Sequence, residues 1–518
     1  MAFYSVAFFG FVFIFVILHG LICDIAPKRQ WIVRLLASLT FFLYLSGLKI
    51  VFLLLSAFTI WGGALLISRI DRKDKEHRSG AEFSKEEKKA LKKKSQRKQK
   101  WIVAAIILVN LLLLFFSKYL LPLINYPIAL PIGISFYTLQ AISYTVDVYG
   151  KKYEPEQNPA KVLLYLSWFP QLIQGPINRF DSVREDLFKT YKLHAPQFRF
   201  AFYMFLFGAV KKYAIADLLA PMVNASLNNQ SDAYPGSFLT FGAVMYAIEQ
   251  YADFSGGIDM SMAISLLFGV RMDKNFNQPY FATSLAEFWR RWHMTLGGFM
   301  RDYVFYPFVT TKPVSTCNKN ISKRFGNHAG RALIGGISNL LVFALVGLWH
   351  GPEKHYLFWG LYNGLIIAVS DAIAPLFAGL KRFSDRSVAG KFLYGFRIFR
   401  TFMIVVFAGY FDVIGSVRTG LGCFANTLLR FDLSEGLSMI AKLFTEDVTS
   451  VGAAVTAGIA TLMLLVNSIF KERGRLPLRR ASSDRYYLRW VICFTLIGIL
   501  LYSFTVSSGI RGFMYAAF

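Results

Sequence analysis

Acidic residues are scarce in this chain. There are 31 among 518, against 57 Lys and Arg, and charged residues of both signs make up only 17%. A soluble fold of this length needs far more polar surface to cover its core. The four cysteines, at 23, 317, 423 and 493, show neither metal-ligand nor disulfide-framework spacing and carry no functional signal. No repeat period and no low-complexity linker interrupts the chain, so it reads as one membrane domain, 1–518. The first apolar run has no basic segment before it and no clear small-residue cleavage site after it, which argues against a signal peptide.

What the chain has in abundance is apolar sequence. It is 55% hydrophobic and 17% aromatic, with a mean hydropathy of +0.43. Apolar runs lie near 4–22, 31–46, 48–67, 102–121, 128–148, 199–222, 236–252, 332–349, 356–377, 392–414, 450–469 and 487–506. Each is long enough, or nearly so, to cross about 30 Å of hydrocarbon as a helix. Shorter pieces at 160–177, 259–270 and 285–309 are broken by Pro, Gly or charge and read as re-entrant or interfacial helices. The expected class is an all-α polytopic membrane protein with about 11–13 spanning helices.

Charge sets the expected orientation. The formal net charge is +26. Nucleic-acid binding is the rival explanation of such an excess, and uninterrupted apolar runs argue against it. The densest basic stretch, within 69–100, includes KEEKKALKKKSQRKQK and reads as a solvated, partly helical loop on the cytoplasmic side. Counting back three spans puts the N-terminus outside. Lys151–Lys152 and the region around Lys471–Arg489 then face the cytoplasm, and the span 487–506 carries the C-terminus outside. Lys211 and Lys212 lie in the apolar run 199–222, where snorkelling to the interface is the bland reading and contact with a phosphate-bearing donor the sharp one.

Two segments carry chemistry. The first is EFWRRWHMTLGGFMRDYVFYPF, 287–308, which crowds ionisable and aromatic residues into an apolar neighbourhood. Ionisable groups at membrane depth tend to face a cavity or one another and to mark function. Glu287, Arg290 and Arg291 stand at i, i+3 and i+4, so pairing is available. The second segment is GLWHGPEKHYLFWGLYNG, 347–364, in which His350 closes an apolar span. A lone histidine there is more often a hydrogen-bonded structural group. Two such histidines, His293 and His350, each with aromatic and Gly neighbours, favour a site. His355 reads as interfacial, and His19, His77, His194 and His328 as span-end or loop residues. Neutral imidazole is available as a base at neutral pH, which suits removal of a proton from a hydroxyl.

The FWRRWH, RDYVFYP and GLWHG blocks together resemble the membrane-bound O-acyltransferase (MBOAT) family. The likeness is to its bacterial branch, which acylates cell-envelope polymers in alginate O-acetylation, peptidoglycan O-acetylation and teichoic acid D-alanylation. PIGISFYTLQAISYTVDVY (131–149), FPQLIQGPINR (169–179), DFSGGIDMSMAISLLFG (253–269) and NFNQPYFATSLAEFWRRWH (275–293) agree with it. The resemblance is strong over 100–370, with N-terminal helices at 1–67, C-terminal helices at 392–506 and a tail at 507–518. It implies a helical disc with a tunnel between the two membrane faces, His350 as the catalytic histidine and His293 as a second one. His350 is expected to act as general base, with His293 orienting the acyl group or steadying developing charge. Arg290, Arg291, Trp292, Trp349 and Gln174 become candidates for the substrate path. A purely structural break is as good a reading of QGPI (174–177). One departure is plain: FVTTKPVSTCNKN, 308–320, stands where alginate-type proteins have a Gly-Gly-Asn-Arg element.

The tail reads GIRGFMYAAF, 509–518. It is either an interfacial aromatic anchor or, by resemblance, an acyl-accepting motif. Phe513, Tyr515 and Phe518 match the Phe-x-Tyr-x-x-Phe ending of a small partner protein in the D-alanylation system. The expected activity is transfer of acetyl, or another short acyl group, for envelope polysaccharide modification. The donor is acetyl-CoA or an acyl-carrier-protein thioester, with no covalently bound cofactor and no metal. An extracytoplasmic SGNH-type acetyltransferase is the expected partner, and the bacterial cytoplasmic membrane the expected location. D-alanyl transfer to teichoic acid is the alternative within the class. Outside it stand a transporter, disfavoured by the missing internal repeat, and a non-catalytic scaffold, which predicts that both histidines are dispensable.

Overall fold

The computed structural model describes residues 5–80, 83–120, 130–382, 387–475, 486–507, 509 and 511–513. Among them the fold is helical, with no strand. Eight helical stretches are long and apolar enough to cross a membrane: Val6–Ile25, Pro27–Gly80, Lys85–Leu120, Lys312–His350, Lys354–Phe377, Val388–Val413, Val451–Glu472 and Arg489–Val506. The class is therefore all-α and polytopic. The remaining apolar runs also fold as helix, but shorter, as at Ile134–Tyr149, or carrying ionisable groups, as at Gly236–Leu267.

The basic stretch departs from the loop expected of it. Helix Lys85–Phe115 contains all of KEEKKALKKKSQRKQK. Lys, Glu, Gln and Ala are good helix formers, and Ser84 starts the helix with a capping box. Its hydroxyl accepts from the Glu87 amide at 3.2 Å, and its own amide donates to the Glu87 carboxylate at 2.9 Å.

Contacts group the chain into two compact units. The first comprises residues 1–201 with 261–273. Its core is aromatic: Phe11 meets Phe169 edge-on at 5.4 Å, and Phe268 meets both Trp168 and Phe169 edge-on at 5.6 and 5.7 Å. Arg34 is fully buried there and donates to the carbonyls of Leu187, Lys189 and Phe268. His19, expected at a span end, is buried and lies 3.2 Å from the Gln30 amide nitrogen.

The second unit comprises residues 202–260 with 274–517. Its core includes Val223, Leu239, Tyr246, Val406, Tyr410 and Ile414. The pieces expected at 236–252 and 259–270 join in one helix, Gly236–Leu267, 32 residues long, of which residues 236–260 belong to this unit. Gly256, between those pieces, marks a close approach. A Cβ on Gly256 would stand 2.7 Å from the Gly208 carbonyl, and one on Gly208 equally close to the Gly256 carbonyl. The expected snorkelling of Lys211 and Lys212 does not occur either. Both are buried and paired, Lys211 with Asp259 at 2.6 Å and Lys212 with Asp253 at 2.6 Å and Asp217 at 2.9 Å. Charges inside an apolar region persist when each has a partner.

In place of the missing motif, the segment 308–320 turns at Thr310–Thr311 and then opens Lys312–His350, a helix kinked at Gly326, where φ is +89°. That helix forms a tight hairpin with Lys354–Ile373. Glycines make the approach possible. A Cβ on Gly347 would lie 2.4 Å from the Tyr356 carbonyl, and one on Gly360 2.2 Å from that of Phe343.

Candidate active site

Both histidines of interest belong to the second unit. His293 sits between two short helices, Leu285–Arg291 and Met294–Met300, and caps the second. Its backbone is left-handed, with φ +44°, a region in which His is enriched. The turn points the ring inward, where it is 3% exposed. Its Nδ1 lies 3.1 Å from Asn275 Oδ1. The same oxygen accepts from the Thr295 amide at 3.1 Å and the Thr295 hydroxyl at 2.9 Å. An oxygen already accepting two protons is an acceptor for the third partner too. Nδ1 therefore carries the proton, and the basic lone pair of the ring resides on Nε2. Burial lowers the His293 pKa from 6.5 to about 3, so the ring is neutral at physiological pH.

His350 is the last residue of its long helix and is 4% exposed. Its ring meets Trp359 edge-on at 5.1 Å and lies against Tyr356 at 6.0 Å. Trp349 meets both histidines, its ring centre 6.2 Å from that of His293 and 5.3 Å from that of His350. Phe254 closes the other side of His293 at 4.9 Å. Trp289 holds this wall upright: it packs edge-on against Trp359 at 5.5 Å and donates its Nε1–H to Asn363 at 3.2 Å. Asn363 in turn donates to the Trp359 carbonyl. The result is a pair of buried imidazoles in an aromatic cage, a setting that excludes water and strengthens any polar contact within it.

The other candidates separate. Trp292 is buried and stacks on Phe288 at 5.4 Å. With Trp289, Trp359, Gln250 and Asp412 it lines a cavity of about 20 Å³, room for roughly one water. Arg291 takes the pairing expected of it, meeting Glu287 at 2.7 Å, and adds Glu472 at 2.8 Å. Burial disfavours ionised Glu287, but hydrogen bonds from Thr283 and the charge of Arg291 outweigh it and hold the carboxyl below its usual range. Arg290 is exposed and makes no ion pair among the described residues. Gln174 lies in the first unit, buried at the end of the short helix Gln171–Gln174. Tyr515 lies outside the described residues. His355, expected at the interface, is buried and its Nδ1 lies 3.0 Å from the Phe411 carbonyl. Among the described residues no group of three or more His, Cys, Asp or Glu is placed to hold a metal ion.

Asn275 was not singled out in the sequence, although it opens the block that ends in His293. Its distance of 18 residues hides the contact, and among the polar neighbours of RMDKNFNQ, 271–278, nothing local distinguishes it.

Residues 155–410 match the MBOAT, membrane-bound O-acyltransferase family. Among curated proteins, the chain is 34% identical over 253 residues to the probable alginate O-acetylase AlgI of Pseudomonas aeruginosa, covering 49% of this chain and 45% of that one. It is 30% identical over 271 residues to the peptidoglycan O-acetyltransferase of Helicobacter pylori, covering 47% and 48%. It is 27% identical over 248 residues to the teichoic acid D-alanyltransferase of Bacillus subtilis, covering 46% and 58%. The matches span about half the length of these relatives. The stretch 155–410 holds Asn275, His293, Trp349 and His350 alike, and through it the chain carries a domain of the membrane-bound O-acyltransferase family.

Proposed function

We propose that this protein is a membrane O-acyltransferase of the bacterial cytoplasmic membrane. It moves a short acyl group, acetyl above all, from a cytoplasmic thioester through a tunnel to an acceptor on the outer face. The donor is acetyl-CoA or an acyl-carrier-protein thioester, and the final acceptor an envelope polysaccharide. The single observation carrying this reading is the pair of buried imidazoles, His293 and His350, both in contact with Trp349 within the matched domain.

In this reading His350 is the general base. It takes the proton of the attacking hydroxyl while that oxygen bonds to the thioester carbonyl carbon. The C–S bond then breaks, and the departing thiolate recovers the proton from the imidazolium, leaving an ester and a free thiol. His293 stays neutral. With Nε2 as an acceptor and the single hydroxyl proton committed to His350, its part is to orient the acyl group by packing rather than to donate to an oxyanion. Tyr515 is the first acceptor. Its phenol becomes an ester, and a second hydroxyl on the outer side takes the acyl group and restores the phenol. An SGNH-type acetyltransferase outside the membrane completes that handover. Both termini face outward.

The names of the P. aeruginosa and H. pylori relatives support acetyl. That of the B. subtilis relative supports D-alanyl transfer to teichoic acid as the second reading. Supplying each thioester in turn to protein in vesicles separates them: release of thiol from acetyl-CoA supports the first, and release from D-alanyl thioester alone supports the second. No release from either contradicts the proposal.

A further inference from the structure

The acyl-transfer chemistry leaves one buried charge cluster unused. Lys212 belongs to a π-helical stretch, Val210–Ala216. Successive residues of an α-helix point about 100° apart. The wider turn here lets Lys211 and Lys212 both reach the helix Gly236–Leu267, at Asp259 and Asp253. π-Stretches of this kind recur at functional sites. Lys212 and Asp253 are each 1% exposed, and Asp217 is buried as well.

An ammonium has three N–H donors. Two of those of Lys212 go to Asp253 and Asp217. The third goes to the C-terminal segment, to the Gly512 carbonyl at 2.9 Å. The same ammonium stands 4.7 Å from the centre of the Phe513 ring, itself buried. The Arg511 amide lies beside Asp217, and the Arg511 charge acts on Glu249, one turn before Asp253. One lysine facing two aspartates leaves a net negative charge in an apolar setting, and Arg511 brings a second cation. Leaving such charge uncompensated is costly, so residues 511–513 do more than cover the cluster.

We propose that the Lys212–Asp217–Asp253 cluster is a docking socket for the chain's own C-terminal segment. It is a positioning site that grips residues 511–513 by backbone, ring and charge. The dependence of acyl transfer on this grip rests on the carrier role proposed for Tyr515; the socket itself does not.

Hydrogen exchange on the full-length protein in lipid nanodiscs tests it. Phe513→Ala removes the ring but keeps every ion pair of Lys212, so the fold is preserved. A lost cation–π contact corresponds to about 2- to 30-fold faster exchange in the peptide spanning 509–513. Exchange across Gly236–Leu267 should stay unchanged, and Phe513→Trp, the best cation–π ring, should restore protection. With acetyl-CoA, kcat should fall and recover in the same order while KM for the donor holds. Equal exchange in wild type and Phe513→Ala overturns the socket, as does faster exchange spread through Gly236–Leu267. Faster local exchange with unchanged acyl transfer upholds the socket and discards Tyr515 as the carrier.

Discussion

Asn275 Oδ1 lies 3.1 Å from His293 Nδ1, and through that one contact a residue 18 positions away decides which imidazole nitrogen is basic. The same oxygen is held as an acceptor by Thr295, so the tautomer follows from geometry on both sides. A positioned neutral histidine is the result.

Replacing Asn275 by Ala removes that control. A buried hydrogen bond lost with its partner left behind costs about 1–3 kcal/mol, or roughly 5- to 150-fold in rate. Steady-state acyl transfer by Asn275→Ala should fall within that range, with the protein still folded by its thermal midpoint. Wild-type kcat in this variant would remove His293 orientation from the mechanism.

The glycine hairpin supports His350 from behind. Gly360→Ala places a methyl where the Phe343 carbonyl stands, at 2.2 Å from the ideal Cβ. Forcing the helices apart should cost about 1–3 kcal/mol of stability. Trp359, next in sequence and packed on His350, should shift with them. Intrinsic tryptophan fluorescence and thermal unfolding in detergent report both effects, and an unchanged midpoint would contradict the close packing.

Burial of His293 also has a pH signature. Its folded-state pKa is lowered to about 3, so below about pH 6.5 the unfolded chain binds a proton that the folded chain does not. Its contribution is therefore constant above pH 6.5. It declines as the pH drops from there toward 3, by up to about 1.4 kcal/mol per pH unit. His293→Gln should flatten this part of the curve of thermal midpoint against pH. A variant that loses stability on acidification as steeply as the wild type would show that His293 is not held neutral.

Much of the frame was legible because apolar length and charge are local properties. The spans around Val6–Ile25, Val388–Val413 and Val451–Glu472 follow from run length alone. The two histidine segments stood out because ionisable and aromatic residues are rare neighbours at depth. What stayed hidden was pairing over distance. The sequence divides one helix into the pieces 236–252 and 259–270, because Asp253 and Asp259 find their lysines more than 40 residues away and Gly256 packs against Gly208. The basic half of the helix Lys85–Phe115, expected as a partly helical loop, escapes for a simpler reason. Charge was weighed as solvation, whereas Lys, Glu and Ala are also the residues that most favour helix.

The central claim is a relay that begins at His350. Its most direct measurement is covalent labelling of purified, folded protein by radiolabelled acetyl-CoA, comparing wild type with His350→Ala and Tyr515→Phe. The account predicts label on the wild type and on neither variant, with the label recovered on the C-terminal peptide by mass spectrometry. Label that persists in folded His350→Ala would contradict it.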